Sequence, residues 1–303
     1  TEKRKKLINY IWKNDSKFPT EAEILIEKNI DSSEFEKLPN LKRIDKHEVI
    51  MEYGVNSISY LFLPEKQNGS LFIYHQGHQG DFSSGYKTIE TLLENEYAVL
   101  AFSMPLKGKN NQPIVDIENI GVITLEKHNN FHFLDTKNFS SIKFFMHPIA
   151  LNINYLEEKF FFENYHMIGL SGGAWTITLY SAIDERIEKS FPVGGPMPKF
   201  LTINMPGHSY EYERDLPELY RIANYLELFI LSSYGEEREQ FKILNKYDSC
   251  CYYGISYQVF ENKIKEKMIQ LQDENSFKIY LDDSHRGHMI STKVMGLILE
   301  NLT

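Results

Sequence analysis

The first 45 residues are mostly polar, and their apolar side chains are spaced as on one face of a helix. Leu7, Ile11 and Trp12 recur at helical intervals, and the run at residues 23–27 favours a second short helix. We therefore predict that residues 1–45 form an N-terminal helical extension, which packs on a main domain at residues 46–303.

From residue 46 the hydrophobic pattern changes to the alternating and continuous apolar runs that are typical of strands. Alternating runs come first, as in antiparallel strands, and continuous runs follow, as in strands buried on both faces. The predicted strands cover residues 47–53, 57–63, 70–74, 97–102, 187–193, 240–244 and 277–281, with one more ending just before residue 169. Helix-compatible segments lie between them, so we predict an α/β fold with a doubly wound, mostly parallel sheet and an antiparallel N-terminal edge.

Two segments depart from this alternation. Residues 104–140 are polar and irregular, and because long loops of this kind are often functional we expect them to form part of a substrate-binding wall. Residues 194–238 begin with a segment rich in proline and aromatic side chains, between two predicted strands. We predict a cap or lid at residues 194–238.

The most informative motif follows the strand that ends before residue 169. Gly169, Ser171 and Gly173 fit the pattern G-x-S-x-G, and an apolar helix-compatible stretch comes next. A strand, a sharp turn centred on a serine and a helix are the context in which this motif presents a nucleophile. The glycines let the strand and the helix approach closely, and the helix start directs backbone N–H groups toward the serine. An ordinary strand-to-helix turn is the alternative interpretation.

A nucleophilic serine needs a base, and an acid that orients the base. Asp248 follows the predicted strand at 240–244, and His288 directly precedes the last predicted helix. His285 is the rival base, with packing or hydrogen bonding beside the site as its other role. The rival acids are Asp282 and Asp283, which lie very close in sequence to these histidines.

These motifs, in the order Ser, Asp, His, resemble those of the α/β-hydrolase superfamily of serine esterase- and lipase-like hydrolases, over about residues 46–301. The resemblance implies that Ser171 is the nucleophile, His288 the base and Asp248 the orienting acid. It also implies an oxyanion hole made by the backbone N–H groups of Gly172 and His78.

The loop that supplies the second oxyanion donor departs from the family pattern. In related hydrolases the donor follows a His-Gly pair, whereas this chain has Gln76 and Gly77 before His78, with His75 one residue earlier. His75 is therefore a candidate supporting residue, as His285 is.

The resulting functional prediction is a serine hydrolase that cleaves a carboxylic ester through an acyl-enzyme and needs no cofactor. A peptidase, amidase or acyltransferase with the same triad is the alternative among enzymes. A binding module that keeps the hydrolase scaffold without catalysis is the alternative outside enzymes. The expected partner is a small-molecule or acylated substrate.

Charge and hydropathy exclude other classes. The net charge of −9 argues against nucleic acid as the main partner, because phosphate binding needs a basic surface. No apolar run is long enough to span a membrane, and no signal-peptide core is present. A chain that begins at Thr1 leaves room for a removed leader or anchor, so localisation stays open on these features. Two reduced cysteines would slightly favour the cytoplasm, which is a reducing compartment.

A metal site is an alternative interpretation of five residues that the sheet edge would bring together, namely His75, His78, Asp81, His285 and His288. A loop H-x-x-H lacks the geometry of the helical H-E-x-x-H motif, so we expect no metal. The sequence contains no G-x-G-x-x-G motif after a predicted strand, so we expect no dinucleotide-binding site.

The two cysteines, Cys250 and Cys251, are adjacent in sequence. A disulfide between neighbours brings the Cα atoms closer than ordinary disulfide geometry prefers, so we expect two reduced, packed thiols rather than a vicinal disulfide.

Overall fold

The structure, a computed structural model of the chain, describes residues 1–13, 17–202, 211–273 and 276–302. Its strands are β1 (Leu25–Glu27), β2 (Leu41–Ile50), β3 (Asn56–Pro64), β4 (Ser70–His75), β5 (Ala98–Phe102), β6 (Ile114–Ile117), β7 (Gly121–Thr124), β8 (Asn164–Leu170), β9 (Ile187–Val193), β10 (Glu239–Asn245) and β11 (Phe277–Asp282). Its α-helices are α1 (Glu2–Trp12), α2 (Tyr86–Glu94), α3 (Lys143–Lys159), α4 (Gly172–Ile183), α5 (Lys199–Thr202), α6 (Pro217–Ile222), α7 (Tyr225–Ser233), α8 (Gln258–Gln270) and α9 (Thr292–Glu300). Short 3-10 helices cover Glu52–Gly54, Phe82–Gly85, His128–Phe133 and Tyr212–Arg214.

Nine of these strands form one sheet in the order β1-β2-β3-β5-β4-β8-β9-β10-β11. The pairs from β1 to β3 are antiparallel, and so is the pair β3–β5, whereas all pairs from β5 to β11 are parallel. The predicted mostly parallel sheet with an antiparallel N-terminal edge is confirmed. Because parallel strands end at one edge, the loops after β4, β8, β10 and β11 meet there.

The sheet carries a hydrophobic core on each face. Along β4, Leu71 and Ile73 belong to one core, whereas Phe72 and Tyr74 belong to the other, as strand alternation requires. Helices α2 and α9 contribute to the second core, and α1, α3, α4, α7 and α8 contribute to the first. Helices on both faces make the sheet doubly wound, which is also confirmed.

The N-terminal segment is only partly helical. Helix α1 buries Leu7, Ile11 and Trp12, as predicted, but the second short helix predicted at residues 23–27 is wrong. Residues Leu25–Glu27 form β1, which pairs antiparallel with β2, and β2 itself begins at Leu41. Pairing with a distant strand decides this short segment, and local helix propensity cannot report such a contact.

The two segments that interrupt the predicted alternation of strands and helices contain regular structure. Within 104–140, predicted to be irregular, β6 and β7 form a two-stranded hairpin whose turn uses positive φ angles at Asn119 and Gly121. Within the predicted cap at 194–238, residues 203–210 lie outside the described residues. Helix α7 packs on α4 and therefore belongs to the first of the two cores. The covering role of the remainder stays a prediction. Across the described ranges, every helix is too short or too polar to cross a lipid bilayer.

The close approach of α4 to β4 gives a stability prediction. A Cβ added at Gly173 would lie 2.0 Å from the carbonyl oxygen of His75, so Gly173→Ala must push the helix start away from the sheet. We expect this change to lower the free energy of unfolding by about 1–3 kcal/mol or more, as overpacking does. Chemical denaturation followed by circular dichroism measures it.

The matched control for this substitution is Gly296→Ala in α9. This glycine is exposed, and a Cβ there meets nothing within 4 Å, so the change should stabilise the protein by roughly 0.5–1 kcal/mol through helix propensity. Equal stability of the two variants would contradict the proposed steric cause.

Candidate active site

Ser171 lies on a sharp turn between β8 and α4. Its backbone has φ 57° and ψ −114°, a region that costs a non-glycine residue on the order of 1–3 kcal/mol. The turn is held by the Ser171 amide, which donates to the carbonyl of Val193 at 2.9 Å. It is also tight, since a Cβ at Gly169 would lie 2.5 Å from the carbonyl oxygen of Gly173. The strand, turn and helix expected around the G-x-S-x-G motif are thus present.

His288 and Asp248 form a close pair at the same sheet edge. Nδ1 of His288 lies 2.6 Å from Oδ2 of Asp248, and the Asp248 side chain is fully buried. Because a carboxylate only accepts, Nδ1 carries the hydrogen, which leaves Nε2 of the neutral ring as an acceptor. Nε2 is buried and has no hydrogen-bond partner among the described residues.

Asp248 is held as a carboxylate by several donors. Its Oδ1 accepts from the backbone N–H groups of Cys250 and Cys251 at 2.8 and 2.9 Å. Burial acts to raise the pKa of Asp248, but the hydrogen bonds from His288 and from these amides outweigh it and hold the pKa below its ordinary value.

The nucleophile and base candidates approach each other across the loop after β9. A Cβ at Gly194 would lie 3.1 Å from Cε1 of His288, and one at Gly195 would lie 3.3 Å from the carbonyl oxygen of Ser171. Both Ser171 and His288 line one cavity of about 810 Å³, with Trp175 and Tyr252 among its other walls. The structure therefore brings the predicted Ser, His and Asp to one place.

The rival residues lie in other environments. Nε2 of His285 lies 3.1 Å from Oδ2 of Asp282, and the same oxygen accepts a hydrogen bond from the hydroxyl of Ser291 at 2.6 Å. Asp283 forms an exposed ion pair with Lys293. Among the described residues, neither rival acid forms a hydrogen bond or an ion pair with His288, whereas Asp248 does.

His75, a candidate supporting residue, is a core side chain. It is buried, its Nδ1 contacts the carbonyl of Gln76 at 2.9 Å, and its ring stacks on Phe102. Burial lowers the pKa of His75 to about 4, so the ring is neutral near pH 7. The structure does not bring it to Ser171.

The loop after β4 packs directly against the turn at Ser171. A Cβ at Gly77 would lie 2.8 Å from the carbonyl oxygen of Leu170 and 2.9 Å from Cβ of Ser171. The ring of His78 lies against Gly172, only 2.4 Å from the place that a Cβ of Gly172 would take. The two residues predicted to donate to an oxyanion are therefore neighbours in space.

The side chain of His78 belongs to a cluster that the sequence did not predict. Nε2 of His78 lies 2.6 Å from Oε1 of Glu213, and Nδ1 of His128 lies 3.1 Å from Oε2 of the same carboxylate. Burial acts to raise the pKa of Glu213, but His128 and His78 outweigh it and hold the pKa well below its usual range. Burial acts to lower the pKa of His78, and the charge of Glu213 raises it above its ordinary value.

The expectation of two reduced thiols is wrong, because Cys250 and Cys251 are joined by a disulfide. The backbone amides of both residues converge on Oδ1 of Asp248, and this tight turn sets the two side chains next to each other. Both cysteines line the cavity beside Ser171.

Comparisons with known proteins agree with this topology. No family model and no curated protein matches the sequence. An acetyl xylan esterase from Paenibacillus sp. is 14% identical, with a TM-score of 0.60 over 98% of this chain and 97% of its own. Acetyl xylan esterase 1 from Thermoanaerobacterium sp. is 12% identical, with a TM-score of 0.60 over 99% of this chain and 91% of its own. An esterase from Pyrococcus furiosus is 14% identical, with a TM-score of 0.57 over 91% of this chain and 94% of its own.

These likenesses identify the fold of the chain. The chain has the α/β-hydrolase fold, so the resemblance predicted from the sequence is confirmed at the level of the fold. At this level of identity the comparisons speak to the fold alone.

The lowered pKa of Asp248 gives a prediction for stability against pH. The pKa of an aspartate in an unfolded chain is about 3.9, and the pKa of Asp248 in the folded protein is lower. Ionised Asp248 therefore stabilises the fold above about pH 4. That contribution is lost as the pH falls through the folded pKa. We expect Asp248→Asn to be destabilising at pH 7 and to approach the wild type below about pH 4, as measured by urea unfolding at several pH values.

Asp116→Asn is the matched control, because Asp116 is exposed on β6. Its unfolding curves should follow those of the wild type throughout. A difference between Asp248→Asn and the wild type that stays constant down to pH 2.5 would rule out the linkage proposed for Asp248.

Proposed function

We propose that this protein is a serine-dependent hydrolase that cleaves carboxylic esters with Ser171, His288 and Asp248. The observation that carries the proposal is the 2.6 Å contact between His288 and Asp248, with the other nitrogen of His288 free of protein partners among the described residues and the ring lining the same cavity as Ser171. This is the arrangement that general-base activation of a serine requires.

In the proposed reaction, Oγ of Ser171 attacks the acyl carbon while Nε2 of His288 takes its proton. The backbone N–H groups of Gly172 and His78 stabilise the negative oxygen, and collapse of this intermediate expels the alcohol, which takes the proton from His288. Asp248 keeps the imidazole tautomer and stabilises the imidazolium. A water molecule then repeats the cycle on the acyl-enzyme and releases the acid and free Ser171.

The backbone conformation of Ser171 supports this role. The strained turn stands at the start of α4, where N–H groups have no partner inside the helix and the helix dipole is positive. Developing negative charge next to Ser171 would therefore meet donors that are already oriented. Pre-oriented donors of this kind are worth about 10²–10³ in kcat in serine enzymes.

The choice of an ester as substrate rests on the solved structures that share the fold. They are described as esterases, two of them as acetyl xylan esterases. These descriptions support an ester as the bond cleaved. The same three side chains would also serve an amidase, a peptidase or an acyltransferase, so a panel of matched acyl esters and amides, with and without an added alcohol, belongs to the test.

We expect Ser171→Ala and His288→Ala to lower kcat for hydrolysis of p-nitrophenyl acetate by roughly 10³-fold or more. Each substitution removes one member of the proposed triad, whose members act together. Asp248→Asn should lose on the order of 10⁴-fold, since the asparagine amide favours the wrong imidazole tautomer. Steady-state kinetics measures all three, with circular dichroism to show that each variant is folded.

His285→Ala replaces the rival base and Asp283→Asn replaces one of the two rival acids, and both variants should keep most of the wild-type rate. A fluorophosphonate probe should label Ser171 in the wild type and fail to label His288→Ala. Undiminished turnover by folded Ser171→Ala would sink the proposed mechanism, and an unlabelled wild type without ester turnover would favour a non-catalytic binding module.

A further inference from the structure

Four side chains that bind metals in other proteins converge beside the turn at Ser171. They are His78 from the loop after β4, His128 from the 3-10 helix His128–Phe133, and Glu211 and Glu213 from the segment around Tyr212–Arg214. One nitrogen or oxygen of each lies within 4.8 Å of those of the other three. We name these four residues the His-Glu cluster.

The distances within the His-Glu cluster are those of groups that face a common point. Nε2 of His78 lies 2.6 Å from Glu213 and 3.9 Å from Glu211, and Nδ1 of His128 lies 3.1 Å from Glu213. Ligands of a four-coordinate zinc ion stand about 2.0–2.2 Å from the metal, which places them roughly 3.3 Å from one another. Small side-chain rotations would suffice to take the observed atoms to that spacing.

His128 is oriented as metal-binding histidines usually are. Its Nε2 lies 2.9 Å from the carbonyl oxygen of Pro105, which can only accept a hydrogen bond. Nε2 therefore carries the hydrogen. Nδ1 faces the carboxylate of Glu213, which also only accepts, so either a second hydrogen on the ring or a cation bound to the Nδ1 lone pair must lie between them. A backbone carbonyl that fixes the tautomer in this way is the common outer-shell partner of a ligating histidine.

Glu213 is a buried carboxylate that has only histidines as its ionic partners. Its side chain is 0% exposed, and among the described residues no lysine or arginine lies within ion-pair distance of it. A buried charge needs a partner of opposite charge, and an imidazole supplies one only when it carries a second proton. A cation held between the carboxylate and the imidazoles would supply it and leave both rings in the neutral, ligating form.

We propose that His78, His128, Glu211 and Glu213 bind one divalent transition-metal ion of the zinc class. Imidazole nitrogen together with carboxylate oxygen is a ligand set for zinc, cobalt or nickel rather than for magnesium or calcium, which prefer oxygen alone. The side chains of His78 and Glu211 are 22% and 25% exposed and line the cavity, which gives the ion a path from solvent.

The ion would act as a clamp and not as a reagent. It would join the loop after β4 to the two segments that carry His128 and Glu213, which lie 85 residues apart in sequence. Because the ring of His78 packs on Gly172, the clamp would also fix the backbone next to Ser171. The positive charge of Arg214, which lines the same cavity, opposes a cation, and the two carboxylates offset it.

The test uses Co²⁺ as the probe, on the full chain without a histidine tag after removal of metals by chelation. We expect saturation at one Co²⁺ per chain, a visible d–d absorption typical of four or five ligands, and displacement by Zn²⁺. His78→Asn and Glu211→Gln, which change the two partly exposed ligands, should each weaken Co²⁺ binding at least about 10-fold, the low end for loss of metal-site groups. Glu213→Gln should weaken it further.

The matched controls are His132→Ala, on the same 3-10 helix as His128, and Glu218→Gln, because both residues are exposed. They should bind Co²⁺ as the wild type does. Ser171→Ala should do so as well, which separates this site from the proposed catalysis. Unchanged Co²⁺ affinity in folded His78→Asn and Glu211→Gln, or no stoichiometric binding by the wild type, would overturn the proposal and leave a cluster held by hydrogen bonds alone.

Discussion

The site depends on backbone segments that approach one another more closely than side chains allow. The loop after β4 touches the turn at Ser171 through Gly77, and the start of α4 touches the end of β4 through Gly173. A Cβ at either position would lie within 3 Å of backbone or Cβ atoms. These two contacts hold the predicted nucleophile, the loop of His78 and the start of α4 in one fixed relation, so every other part of the site is built on them.

The parallel register then brings distant residues to that fixed point. In the sheet β8 is paired to β4 and β9, and β10 is paired to β9 and β11, so loops that are far apart in sequence leave the same edge. Asp248 and His288 are 40 residues apart in sequence and meet at 2.6 Å. The turn after β10 adds two amide donors to Asp248, which keeps that carboxylate ionised without a cationic side chain.

A part of the fold or of the site can be predicted from the sequence when residues close together in the sequence determine it. The turn at Ser171 is decided by neighbouring residues, and the ends of β10 and β11 by apolar runs, so local patterns indicated both. Strand β1 is decided by pairing with β2, and Glu213 meets His78 across 135 positions, between two segments without periodic pattern. No local signal reports contacts of that kind. An isolated histidine in an irregular segment, such as His128, is only a weak indication of such a contact.

A buried carboxylate lies on each side of the turn at Ser171, and the two carboxylates are stabilised in different ways. On each side a carboxylate oxygen lies 2.6 Å from a histidine, Asp248 with His288 and Glu213 with His78. Asp248 also accepts from two backbone amides, and dipoles of this kind stabilise a buried anion without adding charge. Glu213 instead has a second imidazole at its other oxygen. An imidazole balances a carboxylate only when it is protonated or when a cation is shared between them, so the His-Glu cluster requires positive charge where the Asp248 pair does not. This difference is the reason why we propose catalysis on one side of the turn and cation binding on the other.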